Sequence, residues 1–136
     1  MNSEQCFESF IDRTDFKIVK GDYLKTVSVF MFSGCNMQSL ELPCVKLINN
    51  FGFKNCYNLT QVLFKQLKKV DKEAFYKCNR LQEFIAPLLT TIGCGAFGYC
   101  SELSTCTTPL VQSVGQCAFY KCAKLETPLF KKKIRF

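Results

Sequence analysis

Ten cysteines in 136 residues are the side chains here with the most chemistry available to them. A thiolate attacks electrophiles, binds soft metals and exchanges with disulfides. The spacing decides among these uses. Cys35, Cys56, Cys78, Cys100 and Cys122 lie 21, 22, 22 and 22 residues apart. No two cysteines are three apart, so the C-x-x-C pairs of structural zinc sites are missing. The chain has no histidine, which removes the commonest general base and metal ligand. A nucleophile would have to rely on Lys or a carboxylate, and no such constellation is visible. The five evenly spaced thiols therefore read as a packed ladder, since free Cys behaves as a small buried hydrophobe. Disulfides between neighbouring units would be within reach, at about 5 Å between Cα atoms, and would imply an oxidising location.

Two further patterns suggest chemistry. Gly93-Cys94-Gly95-Ala96-Phe97-Gly98 has the G-x-G-x-x-G form of a dinucleotide loop. That loop needs a βαβ unit and an acidic residue about 20 positions on, and both are missing. The net charge is +7. Lys65, Lys68, Lys69 and Lys72 form one basic cluster, and Lys131, Lys132, Lys133 and Arg135 another. Lysines of this kind solubilise an apolar repeat protein, or contact nucleic acid or an anionic membrane. Tyr76-Lys77 and Tyr120-Lys121 interleave aromatic and basic residues. The expectation is a non-enzymatic chain with no cofactor, no metal and no small-molecule substrate.

The cysteine spacing belongs to a repeat. Ala74-Phe75-Tyr76-Lys77-Cys78-Asn79-Arg80-Leu81 returns as Ala96-Phe97-Gly98-Tyr99-Cys100-Ser101-Glu102-Leu103 and again as Ala118-Phe119-Tyr120-Lys121-Cys122-Ala123-Lys124-Leu125. A fixed period near 22 residues marks a solenoid, in which each unit buries its apolar face only against its neighbours. Counted from its leading Phe, a unit carries Cys at +3, Leu at +6, apolar residues at +9, +11, +14 and +17, and often Gly at +18. Units start at Phe10, Phe32, Phe53, Phe75, Phe97 and Phe119, the last incomplete. The second is one residue short after Cys35, which keeps Met37, Leu40, Leu42, Val45 and Ile48 on core positions. In the first, Arg13 replaces the cysteine, as suits a terminal unit.

Residues +8 to +11 alternate as a strand would: Gln61-Val62-Leu63-Phe64, Glu83-Phe84-Ile85-Ala86. Pro43, Pro87 and Pro109 then close the segment, since proline has no N–H to give a ladder. The stretch Asp71–Cys78 reads as a short helical turn with Asp71 as its N-cap. The whole chain, residues 1–136, thus reads as one α/β solenoid domain. It has about six coils, each a strand, a bend, a return strand or extended run, and a short helical turn, in a right-handed superhelix with one parallel sheet on the concave face and the helical turns opposite.

The order Ala-Phe, Cys, Leu, Pro, Ile/Val-Gly, as in Ala96-Phe97, Cys100, Leu103, Pro109 and Val114-Gly115, resembles the BspA-like, or Treponema pallidum-type, leucine-rich repeats. The resemblance spans about Phe10 to Phe136. It implies a binding scaffold. Such proteins are typically surface or adhesion proteins of some bacteria and protists, with intracellular sets in protists.

The repeat leaves the outward strand row unspecified, and that row is the expected partner-binding face. It consists of Lys20, Glu41, Gln61, Leu63, Glu83, Ile85, Thr105 and Thr107, with Ile18 and Ser39 beside them. The expected partner is a protein; nucleic acid or an anionic membrane is the alternative through the basic clusters. No signal segment or membrane span is visible, which points to a cytoplasmic scaffold. A cell-surface adhesion module is the rival reading.

Overall fold

A computed structural model describes residue 15 and residues 17–126. The fold follows from where each coil's amide groups find partners. Residues +8 to +10 of successive coils form β1 (Ile18–Lys20), β3 (Ser39–Glu41), β5 (Gln61–Leu63), β7 (Glu83–Ile85) and β9 (Thr105–Thr107). Residues +16 and +17 form β2 (Thr26–Val27), β4 (Leu47–Ile48), β6 (Lys69–Val70), β8 (Thr91–Ile92) and β10 (Ser113–Val114). Each set is a five-stranded parallel sheet in coil order. Ile18 pairs with Ser39 and Ser39 with Gln61, so the shortened second unit keeps its strand in register.

Three expectations are corrected. The extended return run is a second parallel sheet, so the solenoid has two sheets and not one. The described residues carry five strands in each sheet and do not make six coils. Among the described residues no helix faces the sheets, and Asp71 caps none. The expected core residues Phe10 and Phe16, the atypical Arg13, and the C-terminal residues Pro128, Phe130, Lys131–Lys133, Arg135 and Phe136 lie outside the described residues.

The missing helix has a clear cause. Two residues before each leading Phe, the backbone turns left-handed, at Phe51, Glu73, Gly95 and Cys117. Two residues after it, the same happens at Asn55, Lys77, Tyr99 and Lys121. These eight φ values lie between 50 and 62°, in a region L-residues enter only at a cost. The result is alternation of amide partners. Glu73, Phe75 and Lys77 donate to Cys94, Ala96 and Gly98 of the next coil at 2.8–2.9 Å, while Ala74, Tyr76 and Cys78 donate back to Asp71, Glu73 and Phe75 of their own coil. Every second N–H crosses to the neighbouring coil. A helix would satisfy these groups within one coil and leave the coils unjoined along this edge.

Inside, the leading rings of Phe32, Phe53, Phe75, Phe97 and Phe119 stack at 5.2–5.4 Å between centroids, with planes within 12°. Phe84 adds its edge to Phe75 and Phe97. The Leu ladder (Met37, Leu59, Leu81, Leu103) and the +14 and +17 residues complete a core that runs the length of the described coils. Phe97 is fully buried between stacked partners on both sides. Phe97→Ala is expected to lower stability by about 3–5 kcal/mol through the cavity left. Lys65→Ala, on the surface, should stay within about 0.5 kcal/mol. Equal melting of the two variants in a denaturant titration would overturn this core assignment.

Candidate partner-binding site

The outward row of the first sheet is set by the pleat. With Val62, Phe84 and Cys106 turned into the core, the residues on either side of each must face out. Gln61, Glu83 and Thr105 stand in one column, and Leu63, Ile85 and Thr107 in the next, each aligned by Cα register. Lys20 and Glu41 are also paired by register, and their side chains form an exposed ion pair at 3.5 Å. All eight residues expected from the sequence therefore share one face. Its chemistry is graded: a charge pair, then the apolar pair Leu63 and Ile85, then threonines. Leu63 keeps 48% of its surface exposed, and Ile85 is half-buried beside it.

The glycine motif is accounted for by packing. A Cβ on Gly93 would lie 2.6 Å from the Asp71 carbonyl carbon and 2.7 Å from the Lys72 nitrogen. Coils approach too closely there for any side chain, and Gly115 repeats the constraint one coil on. Gly95 takes the left-handed turn at φ 62°. Gly98 lies under the Tyr76 ring, which a Cβ would meet at 2.8 Å. No phosphate loop is formed.

The thiol ladder has a role the spacing did not reveal. Cys56, Cys78, Cys100 and Cys122 donate through Sγ to the backbone carbonyls of Phe32, Phe53, Phe75 and Phe97 at 3.0–3.1 Å. Each acceptor also takes its own coil's cysteine N–H. The thiol therefore satisfies an inward carbonyl that the turn leaves half-used. Burial pushes the thiols of Cys56, Cys78 and Cys100 up, the first and third strongly. It raises Cys122 to about 11 and Cys106 to about 12. Nucleophilic thiolates are the opposite case. Among the described cysteines, Cys94 and Cys117 are the exposed ones.

The turn edge carries aromatic and basic residues that the sequence placed together. Tyr99 meets Tyr76 and Tyr120 edge-on at 5.4 and 5.5 Å. Lys54 and Lys77 sit over Tyr76, and Lys121 over Tyr120, within 6 Å of the ring centres. A shallow groove of about 320 Å³ runs beside the rings, with Gly95 and Gly98 among its lining residues and Cys94 and Cys117 at its side. Each ring already has a lysine or another ring against it, which leaves little face free for stacking a base. Among the described residues no group of three or more His, Cys, Asp or Glu side chains could hold a metal ion, and no helix is long and apolar enough to cross a membrane.

Comparison with known proteins agrees with this geometry. A family model for the BspA-type leucine-rich repeat region matches residues 3–126 in six copies. The fold superimposes on the crystal structure of a leucine-rich repeat protein of T. pallidum with a TM-score of 0.72 and 26% sequence identity. That match covers 79% of this chain and 55% of the other, so the chain spans about half the length of that relative. No curated protein matches the sequence.

The raised thiols set an alkaline limit on the fold. An unfolded thiol ionises near its ordinary value of 9.0, whereas the buried Cys106 holds its proton to about 12. The folded chain therefore binds more protons than the unfolded one above pH 9, and stability falls as pH rises through that window. Below the ordinary value both states are protonated and nothing is lost. Cys106→Val, which places there the residue that Val62 supplies two coils earlier, should lose less stability between pH 8 and pH 10 than the parent chain. Equal losses, measured by urea unfolding at the two values, would show that Cys106 does not contribute.

Proposed function

Because the chain belongs to the BspA-type leucine-rich repeat family, we propose that it is a non-enzymatic scaffold that binds a protein partner through the outward face of its first sheet. Leucine-rich repeat domains in general mediate protein interactions, and this chain carries their repeat throughout its described coils. One observation supports the choice of face. Leu63 and Ile85 stand side by side in register at the middle of the sheet, with Ile18 the other exposed apolar side chain of the row, on its first strand. A small apolar centre with a polar rim is the composition of a protein-binding patch. Lys20 and Glu41 on one flank, and Thr105 and Thr107 on the other, supply the rim.

The thiol ladder supports a cytoplasmic setting. Its S–H groups act as donors to backbone carbonyls, a role that oxidation would abolish. Thiol counting on the native protein tests this reading, and a cell-surface adhesion module is the outcome that missing thiols would favour.

Affinity capture from the protein's own cells tests the binding face. Leu63→Asp with Ile85→Asp should abolish recovery of the partner while leaving the chain folded, with a melt lowered modestly by like charges on neighbouring strands. The wild-type complex should lose little affinity between about 50 and 200 mM salt, where charge-dominated nucleic-acid binding falls by orders of magnitude. A partner retained by the double variant would exclude this face.

A further inference from the structure

The second sheet carries a column of charge that the fold does not neutralise. Its strands are preceded by Lys25, Lys46, Lys68, Thr90 and Gln112. These residues are held in register by backbone bonds: Lys46 N donates to Lys25 O at 2.8 Å, Lys68 N to Lys46 O at 2.9 Å, and Thr90 N to Lys68 O at 2.9 Å. Three ammonium groups thus rise from backbone positions about 4.8 Å apart. Lys69 adds a fourth on the next outward position. Three lysines elsewhere meet an acid on the adjacent coil: Lys20 with Glu41, Lys54 with Glu73 and Lys124 with Glu102. Here only Lys69 has such a partner, Asp71 of its own coil at 3.2 Å. Among the described residues Lys25, Lys46 and Lys68 have none, and all three are exposed. Like charges aligned on neighbouring strands are destabilising.

We propose that this face, over its first three coils, docks on an anionic phospholipid surface. The composition favours a lipid surface over nucleic acid. All four cations are lysines, which act as hydrated point charges, whereas arginine supplies the bidentate fork typical of phosphate readout. The two columns contain no aromatic side chain on which a base could stack. The strip two residues before the column instead exposes Tyr23, at 71%, next to Lys25, and continues past the lysines with Leu88 and Leu110, beside Thr90 and Gln112. A tyrosine at the lysine end, with exposed leucines farther along the same strip, is a composition suited to headgroups. The columns turn from lysine to threonine, glutamine and serine in the later coils, so the charge is concentrated at one end of the solenoid. This docking face is separate from the first-sheet surface, and neither proposal depends on the other.

Vesicle co-sedimentation tests it. The full chain should bind vesicles of phosphatidylcholine containing one-third phosphatidylserine, should ignore phosphatidylcholine alone, and should dissociate as salt rises. Lys46→Gln with Lys68→Gln should weaken binding about twenty- to thirtyfold, at about fivefold per lysine near such a surface. Lys77→Gln with Lys121→Gln removes the same net charge from the turn edge and should weaken it far less. The Lys46 and Lys68 changes relieve repulsion, so the low-salt melting temperature should hold or rise. The proposal is overturned if the wild-type chain shows no phosphatidylserine-dependent binding, if both double variants lose equally, or if duplex DNA binds more tightly than the vesicles do.

Discussion

Each coil is held by backbone hydrogen bonds to the next coil, and every other feature has to be compatible with them. A coil of about 22 residues has no helix and no strand partner within itself. Its amide groups must find acceptors one coil away or remain buried without partners, a cost the fold cannot carry repeatedly. The two sheets solve this on two sides. On the third, the turn edge alternates between crossing and local bonds. That alternation requires two left-handed residues per coil, mostly occupied by side chains that do not favour the conformation. The local strain is offset because each such turn joins two coils.

Once the coils sit at hydrogen-bonding distance, the interior has little freedom. Phenylalanine rings stack because the repeat places identical rings one coil apart with nearly parallel planes. The cysteine beside each ring is small enough to fit and supplies a weak donor to the carbonyl that the turn points inward. Gly93 and Gly115 mark the places where backbone touches backbone across coils. What looked like available chemistry, the thiols and the glycine-rich segment, is used by packing. Among the described cysteines, Cys94 and Cys117 are exposed and stand clear of that use.

Function is left to surfaces where the ladder imposes direction but no residue type. The first sheet presents the apolar pair Leu63 and Ile85 among mostly polar residues, and the second presents Lys25, Lys46 and Lys68 without acids. Register makes both meaningful, because it converts residues 22 positions apart into neighbours a few ångströms apart. Lys46 and Lys68 are unremarkable in the linear chain. Stacked, they become a charged column.

The period of the sequence by itself determined the solenoid, its core and its outward strand row. Phe at the unit start, Cys at +3, Leu at +6 and the alternating strand each demand burial on one side, and the structure buries or stacks them as that demand requires. The eight residues expected on the binding face share one face for the same reason, since strand alternation is a local property. The second sheet was legible only as a return strand or extended run, because two-residue strands such as Lys69-Val70 are too short to show a period. The turn edge was misread as helical for a sharper reason. Glu73, Lys77, Tyr99 and Cys117 carry no mark of left-handed backbone, and only Gly34, Asn55 and Gly95 hint at it. Their conformation is decided by the neighbouring coil, whose carbonyls accept every second N–H. The lysine column was visible only in part, as Lys68 and Lys69 within the cluster that also holds Lys65 and Lys72. The alignment of Lys25 and Lys46 with Lys68 exists only once the coils are stacked, because it is a relation between strands and not within one.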